Sequence, residues 1–186
     1  ATREDPAFLL VAGDLTFNGA RVSHETVAAV FARIERETGV PVYAVAGNHD
    51  INNPWAARFT GRRAQTVERV DPAAFRELYA SFGFDEARGS ASDSLGYVAE
   101  AVPGLDILAI DSNRYERNLS RGQPDAGGAI GPQQTAWIRK QLVDARTAGR
   151  AVIPVMHHSL LDHRGRLGLR RGGQSWIDLW PRYARL

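Results

Sequence analysis

The sequence contains no cysteine, so neither a disulfide bond nor a thiolate-bound metal can form. No apolar run approaches the roughly 20 residues that a helix needs to span a bilayer. No signal peptide is recognisable in the printed residues either. These absences exclude disulfide-stapled scaffolds and thiolate metal sites, but they leave the location of the protein open.

Lysine is almost as scarce, because Lys140 is the only one. The 23 basic residues are therefore nearly all arginine, and against 21 acidic residues they give a net charge of only +2. Arginine in place of lysine fits phosphate recognition, although a biased base composition of the gene explains it more simply. With 186 residues, 44% of them hydrophobic, the chain is long enough for one domain with a substantial core.

Three short apolar runs share one property, which is that each ends in side chains able to bind metal or transfer protons. The runs cover residues 8–12, 42–46 and 151–156, and they end in Gly13-Asp14, Gly47-Asn48-His49-Asp50 and His157-His158. Short apolar runs closed by such residues are typical of buried strands. Ligands in α/β proteins collect at the carboxyl ends of strands, so these side chains are expected to meet there.

The segment between the first two runs reads as an amphipathic helix over residues 23–38. Ser23 is the expected N-cap and Gly39 the expected stop. Strand, helix and strand in this order predict a parallel pair with a right-handed crossover. His24, at the start of this helix, is expected on the surface.

The rest of the chain alternates helices and strands around two loops. Residues 51–70 are polar and predicted to be irregular, and Asp71-Pro72 is a helix start. The remaining predictions are strands over 94–102 and 105–110, a glycine-rich loop over 117–131, a helix from Pro132, and a tail over 160–186 with a possible helix at 176–183.

Carboxylate, amide and imidazole groups together favour a divalent ion such as Mn, Fe, Zn or Mg. A carboxylate such as Asp14 is able to bridge two ions, and ions roughly 3.5–4 Å apart clamp a phosphoryl group and activate water. His49 follows a candidate ligand and is placed to donate a proton without binding metal. Asp50 is expected either to orient His49 or to hold the turn.

The motifs Gly13-Asp14, Gly47-Asn48-His49-Asp50 and His157-His158 resemble the central motifs of calcineurin-like metallophosphoesterases, in the same order and with similar wide spacing. The segment 47–59, with Asn52-Asn53-Pro54-Trp55, is similar to a bacterial branch resembling cyclic-nucleotide phosphodiesterases. The resemblance implies an α/β fold, a layered β-sandwich flanked by helices. It also implies two divalent metal ions as cofactors.

The resemblance implies a role for each matching residue. Asp14 would bridge the two metals, Asn48 and His157 would bind the second one, and His49 and Asp50 would be the catalytic residues. His158 is the alternative to His157 as a ligand, because the doubled histidine leaves the register open.

Two motifs of the family are not found in the printed sequence. The family carries Asp-x-His before Gly-Asp and Gly-His-x-His after the last strand, and neither stands in these 186 residues. The expectation is therefore a single domain over 1–186 that is an internal fragment, without the first strand and the last ligand motif. Such a fragment is expected to bind metal weakly and to have little activity alone.

Further residues are candidates for contact with substrate. His158, His163 and Arg164 are expected to bind it, in a basic loop that also contains Arg166, Arg170 and Arg171 and that would attract an anion. Asp111-Ser112-Asn113 either lines the pocket or caps a strand. Trp55 either packs its loop or flanks a base.

The function that these observations favour is metal-dependent phosphoester hydrolysis, specifically of a phosphodiester, by activated water with His49 assisting the leaving group. A small phosphodiester such as a cyclic nucleotide is the expected substrate. One alternative is a nuclease of the same fold, although a long basic face with interleaved aromatic residues is lacking. The other is a binding module that keeps the fold without catalysis.

Overall fold

The computed structural model describes residues 5–158, in which eight strands and four α-helices follow one another. The elements are β1 Leu9–Ala12, α1 Arg21–Thr38, β2 Val42–Val45, β3 Ala57–Thr60, β4 Arg63–Thr66, α2 Pro72–Leu78, β5 Ala87–Ser90, β6 Tyr97–Val102, β7 Leu105–Ala109, α3 Asn118–Arg121, α4 Pro132–Thr147 and β8 Ala151–Val155. None of the helices in this part of the chain is long and apolar enough to cross a membrane.

The predicted parallel pair of strands is confirmed. β1 and β2 pair in parallel, with Leu9 opposite Val42, and α1 connects them. The helix ends as predicted, because Gly39 adopts the left-handed conformation at φ 71° and its N–H bonds to the carbonyl of Glu35. Its start is two residues earlier than expected: the helix begins at Arg21, so Ser23 lies inside it and is not the N-cap.

The second sheet contains four strands in the order β5, β6, β7, β8. The hairpin of β6 and β7 confirms the strands predicted on either side of the Pro-Gly turn, although β6 begins at Tyr97. β7 and β8 are parallel, with α4 between them in sequence. Consequently β8 ends at the same edge of the sheet as β7, which brings the histidine pair near the residues after Ala109.

The two sheets form the middle layers of a sandwich, in agreement with the expected fold class. Tyr43 and Val45 of β2 pack against Tyr97, Ile107 and other residues of the larger sheet in one buried cluster. On the outer face of β2, the alanines and Val42 pack against aromatic residues of α1 and α2. Ile138 of α4 covers the outer face of the four-stranded sheet. Helices therefore flank both sheets.

The segment 51–70 was predicted to be irregular, and that prediction is wrong. It contains the antiparallel hairpin β3–β4, with Ala57 opposite Thr66. Seven of its eight residues are exposed, so the hairpin buries too little apolar surface to show the alternating pattern by which strands are recognised. The neighbouring prediction is confirmed, since Asp71 caps α2 by accepting a hydrogen bond from the backbone N–H of Ala74 at 2.8 Å.

Candidate active site

Two glycines let the loops after β1 and β2 touch each other. A Cβ atom on Gly47 would lie 2.1 Å from the backbone nitrogen of Asp14 and 2.3 Å from its Oδ1. A Cβ atom on Gly13, whose φ is +89°, would lie 2.7 Å from both the nitrogen of Gly47 and Nδ1 of His157. Any side chain at either position would force the loops apart, so the two Gly-containing motifs depend on glycine for this approach.

Asp14 lies at the centre of this contact in a strained conformation. Its φ of 51° is in the left-handed region, which residues other than glycine rarely adopt. Its carboxylate Oδ1 accepts a hydrogen bond from the backbone N–H of His49 at 3.0 Å. Strain of this kind concentrates at functional sites, where the surrounding structure holds a side chain in a required direction.

His157 brings the third strand end to the same place. Its Nδ1–H donates to the backbone carbonyl of Ala12 at 2.9 Å, while Nε2 lies 3.0 Å from Oδ1 of Asn48 and 3.5 Å from Oδ1 of Asp14. In the neutral ring, Nε2 then carries a lone pair that faces two oxygen acceptors. Three acceptors so close together repel one another unless a positive charge lies among them.

The donor set fits a divalent cation. Imidazole nitrogen, amide oxygen and carboxylate are suitable ligands for Mn, Fe, Zn or Mg, and a histidine ligand usually donates its other N–H to a backbone carbonyl, as His157 does to Ala12. Asp14 and His157 provide two such donors, and no group of three or more His, Cys, Asp and Glu side chains that could hold a metal is found within residues 5–158. Asn48 therefore completes the donor set of Asp14 and His157.

His49 lies beside these donors with its ring held from one side. Its Nδ1–H donates to the backbone carbonyl of Phe17 at 3.0 Å, and its ring centroid is 6.0 Å from that of Trp55. The bond to Phe17 fixes the tautomer, so Nε2 is the nitrogen at which a proton is gained or lost. His49 is half-buried and therefore accessible to a ligand.

Asp50 is completely buried and ties the two loops together. Its carboxylate accepts hydrogen bonds from the backbone N–H groups of Gly47, Leu15 and Thr16 at 2.8, 3.1 and 3.0 Å. Burial raises the pKa of this carboxyl to about 6, against the lowering effect of those bonds. Of the two roles expected for Asp50, this geometry favours holding the turn over orienting His49.

Comparison with known protein families identifies a family for this chain. Residues 1–178 match the family described as calcineurin-like phosphoesterase. The chain belongs to this family. Membership indicates a metal-dependent phosphoester hydrolase that uses divalent metals. No individual curated protein matches the chain.

In this phosphoesterase His24 is not on the surface, so the expectation for it was wrong. It is completely buried under the site, where its Nε2–H donates to the backbone carbonyl of Asp50 at 3.0 Å and its Nδ1 lies 2.8 Å from the hydroxyl of Tyr79. Burial lowers the pKa of His24 to about 4. The sequence did carry a signal: His24 lies three and seven residues before Val27 and Phe31, on the apolar stripe of α1.

His158 of the phosphoesterase is buried and supports a neighbouring loop. Its Nδ1 lies 2.8 Å from Oγ of Ser112, and burial, followed by the nearby His157, lowers its pKa to about 4. Nε2 of His157 lies 3.0 Å from Oδ1 of Asn48, so the geometry favours His157 over His158 as the ligand.

The side chains of Asp111, Ser112 and Asn113 are buried beside the site and hydrogen-bond to neighbouring segments. Asp111 accepts from the backbone N–H of Leu95 at 3.0 Å, which is a capping role. The side-chain amide of Asn113 donates to the carbonyl of Ala46 at 2.8 Å and so anchors the residue before Gly47. The expected substrate contacts of His163 and Arg164, like the basic loop and the helix at 176–183, lie outside the described residues.

Proposed function

We propose that this phosphoesterase hydrolyses phosphodiesters at a dinuclear metal centre built on Asp14, Asn48 and His157. The observation that carries the proposal is the convergence of Nε2 of His157 with the side-chain oxygens of Asn48 and Asp14, at 3.0 and 3.5 Å. Divalent metals bound there would polarise the phosphoryl oxygens and lower the pKa of a bound water.

Asp14 is proposed as the bridging ligand because its carboxylate is hydrogen-bonded through Oδ1 and still partly exposed to solvent. Oδ1 already accepts from the backbone of His49, and the Asp14 side chain is 39% exposed. The carboxylate is therefore anchored to the loop of His49 and still accessible from solvent. The strained φ of Asp14 holds its side chain in this position.

His49 is proposed to carry the proton of the leaving group. With Nδ1–H bonded to the carbonyl of Phe17, the protonated ring presents its Nε2–H as the donor. His49 thus provides both a positive charge near the phosphoryl group and an acid for the departing oxygen.

A small diester is proposed as substrate in preference to a nucleic acid. The net charge of the whole chain is only +2, which offers little of the electrostatic attraction on which tight binding to a polyanion depends. A cyclic nucleotide is one small diester of the required class.

The experiment that tests this function compares bis(4-nitrophenyl) phosphate with 4-nitrophenyl phosphate as substrates of the full-length protein loaded with Mn²⁺. The diester is expected to have the higher kcat/KM, and both reactions are expected to stop when metal is removed. A higher kcat/KM for the monoester would overturn the diesterase assignment. Metal binding without hydrolysis of either compound would favour a binding module instead.

A further inference from the structure

Trp55 is an exposed aromatic residue that the structure nevertheless holds in one orientation. It is 50% exposed, although a tryptophan is usually covered. Its backbone N–H bonds to the side chain of Asn53 at 2.9 Å, and its indole N–H donates to the backbone carbonyl of Gly122 at 3.1 Å. The ring is therefore fixed at its backbone and at its polar edge while half of its surface remains open to solvent.

The fixed ring lies directly beside the proposed acid. The ring centroids of Trp55 and His49 are 6.0 Å apart at an interplanar angle of 59°. Phe17, whose carbonyl anchors His49, has its own side chain 80% exposed. Two exposed aromatic side chains thus belong to residues that contact His49, Trp55 through its ring and Phe17 through its backbone carbonyl.

A fixed, exposed ring of this kind suits another flat ring better than an aliphatic chain. Aromatic pairs gain energy beyond the area they bury, and the entropy of ordering the tryptophan has already been lost through its two hydrogen bonds. An aliphatic leaving group would gain only the contact area.

We propose that Trp55, assisted by Phe17, forms a binding wall for the leaving group and makes the site selective for phosphoesters whose leaving oxygen carries a flat aromatic group, such as an aryl ring or a nucleobase-bearing unit. This inference rests on the proposed function, because it uses the position assigned to His49. It adds a substrate class that the metal donors alone do not define.

The test measures binding and does not depend on turnover. Phenylphosphonate and methylphosphonate are titrated by calorimetry into the full-length protein loaded with Mn²⁺. The wild type is expected to bind the phenyl compound roughly three- to tenfold more tightly than the methyl compound. In Trp55→Leu this ratio is expected to fall to about one, because the aromatic term is lost while the affinity for methylphosphonate stays the same.

Two further variants keep the result interpretable. Trp55→Phe retains a ring without the indole N–H and is expected to keep part of the preference, while Phe59→Leu removes an exposed aromatic side chain of β3 and is expected to keep all of it. Equal affinity for the two phosphonates in the wild type, or an unchanged ratio in Trp55→Leu, would overturn the inference. A phenyl preference in a protein that hydrolyses no phosphoester would instead count against the proposed function alone.

Discussion

The side chain of His24 donates a hydrogen bond to the backbone carbonyl of Asp50, and both side chains are completely buried beneath the loop that carries Asn48 and His49. Nδ1 of His24 is free to accept from the hydroxyl of Tyr79, so the neutral ring satisfies both of its nitrogens. Through this bond α1 and the chain after α2 support the active-site turn. The neutral state of His24 has a consequence for stability that is open to measurement.

The variant His24→Gln is expected to be less sensitive to acid than the wild type. The pKa of His24 is lowered from 6.5 to about 4 on folding, so between these values the unfolded chain binds a proton that the folded chain does not. This contribution to stability is complete above pH 6.5 and is lost as pH falls toward 4. The difference in unfolding free energy between wild type and variant should therefore shrink by on the order of 3 kcal/mol from pH 7 to pH 4.

Urea unfolding at pH 7, 5.5 and 4 measures this difference. Asp50 acts in the opposite direction, because its pKa is raised from 3.8 to about 6 and its contribution is lost as pH rises through that range. Asp50 is present in both proteins, so its effect is removed to first order in the comparison. Equal pH dependence of the two unfolding free energies would show that folding does not shift the pKa of His24, and would contradict this prediction.

Gly47→Ala is expected to separate the two loops and destroy the metal site. The new Cβ would lie 2.1 Å from the backbone nitrogen of Asp14, which cannot move without breaking the loop contact. A destabilisation of about 2–4 kcal/mol is expected from this overpacking, together with loss of metal binding.

Gly131→Ala is the matched control for Gly47→Ala. Gly131 has an extended backbone at φ −70°, and a Cβ there would meet nothing within 4 Å. Its effect on stability is expected to stay within about 1 kcal/mol, because Gly131 is the N-cap of α4 and alanine caps a helix less well than glycine. Thermal unfolding and metal content of the two variants distinguish the cases, and normal metal content in Gly47→Ala would refute the close-contact explanation.

Replacing the two neighbouring histidines is expected to have opposite effects. His157→Ala should remove metal binding with little change in folding, because its ring is half-buried and faces Asn48. His158→Ala should lower stability by about 1–3 kcal/mol while metal remains bound, because the buried ring and its hydrogen bond with Oγ of Ser112 are lost and only the bond from the backbone N–H of residue 158 to that oxygen is kept. Metal analysis and melting temperature of both variants settle the register, and loss of metal in His158→Ala alone would reverse the assignment.

His49→Ala is expected to slow the hydrolysis of esters with poor leaving groups more than that of esters with good ones. An alkoxide leaving group needs a proton, which we propose that His49 supplies, so the rate with such an ester should fall about 100-fold or more. The rate with a 4-nitrophenolate leaving group should fall much less, because that anion is stable without a proton. If kcat for a methyl ester and for a 4-nitrophenyl ester fell equally, His49 would act through charge and not as an acid.

The strand ends of the site were predictable from sequence because they combine two strong signals. A short apolar run predicts a buried strand, and the polar residue after the run is the side chain that lies at the carboxyl end of that strand. Asp14 after β1 and Asn48 after β2 are examples. Parallel pairing then places both at one edge. The helix stop at Gly39 and the cap at Asp71 were predictable because each depends on local backbone chemistry.

The features that sequence reasoning missed depend on contacts between distant residues. His24 reaches Asp50 across 26 positions, and Ser112 reaches His158 across 46, so no local pattern records either pair. The hairpin β3–β4 was missed for a different reason: its exposed residues show no buried face. The choice between His157 and His158 likewise required the direction of each ring.

The most direct test of the proposed site is the metal dependence of bis(4-nitrophenyl) phosphate hydrolysis. The full-length protein is stripped of metal and titrated with Mn²⁺, and the rate is measured for the wild type, for Asp14→Asn and for the control Asp144→Asn. Asp144 lies on α4 and pairs with Lys140 at 2.5 Å, so its substitution alters a carboxylate away from the site. The wild type and Asp144→Asn should regain activity with the same Mn²⁺ dependence, whereas Asp14→Asn should stay about 100-fold or more below them at every concentration. Hydrolysis that needs no metal, or full recovery of Asp14→Asn, would contradict the assignment of this site.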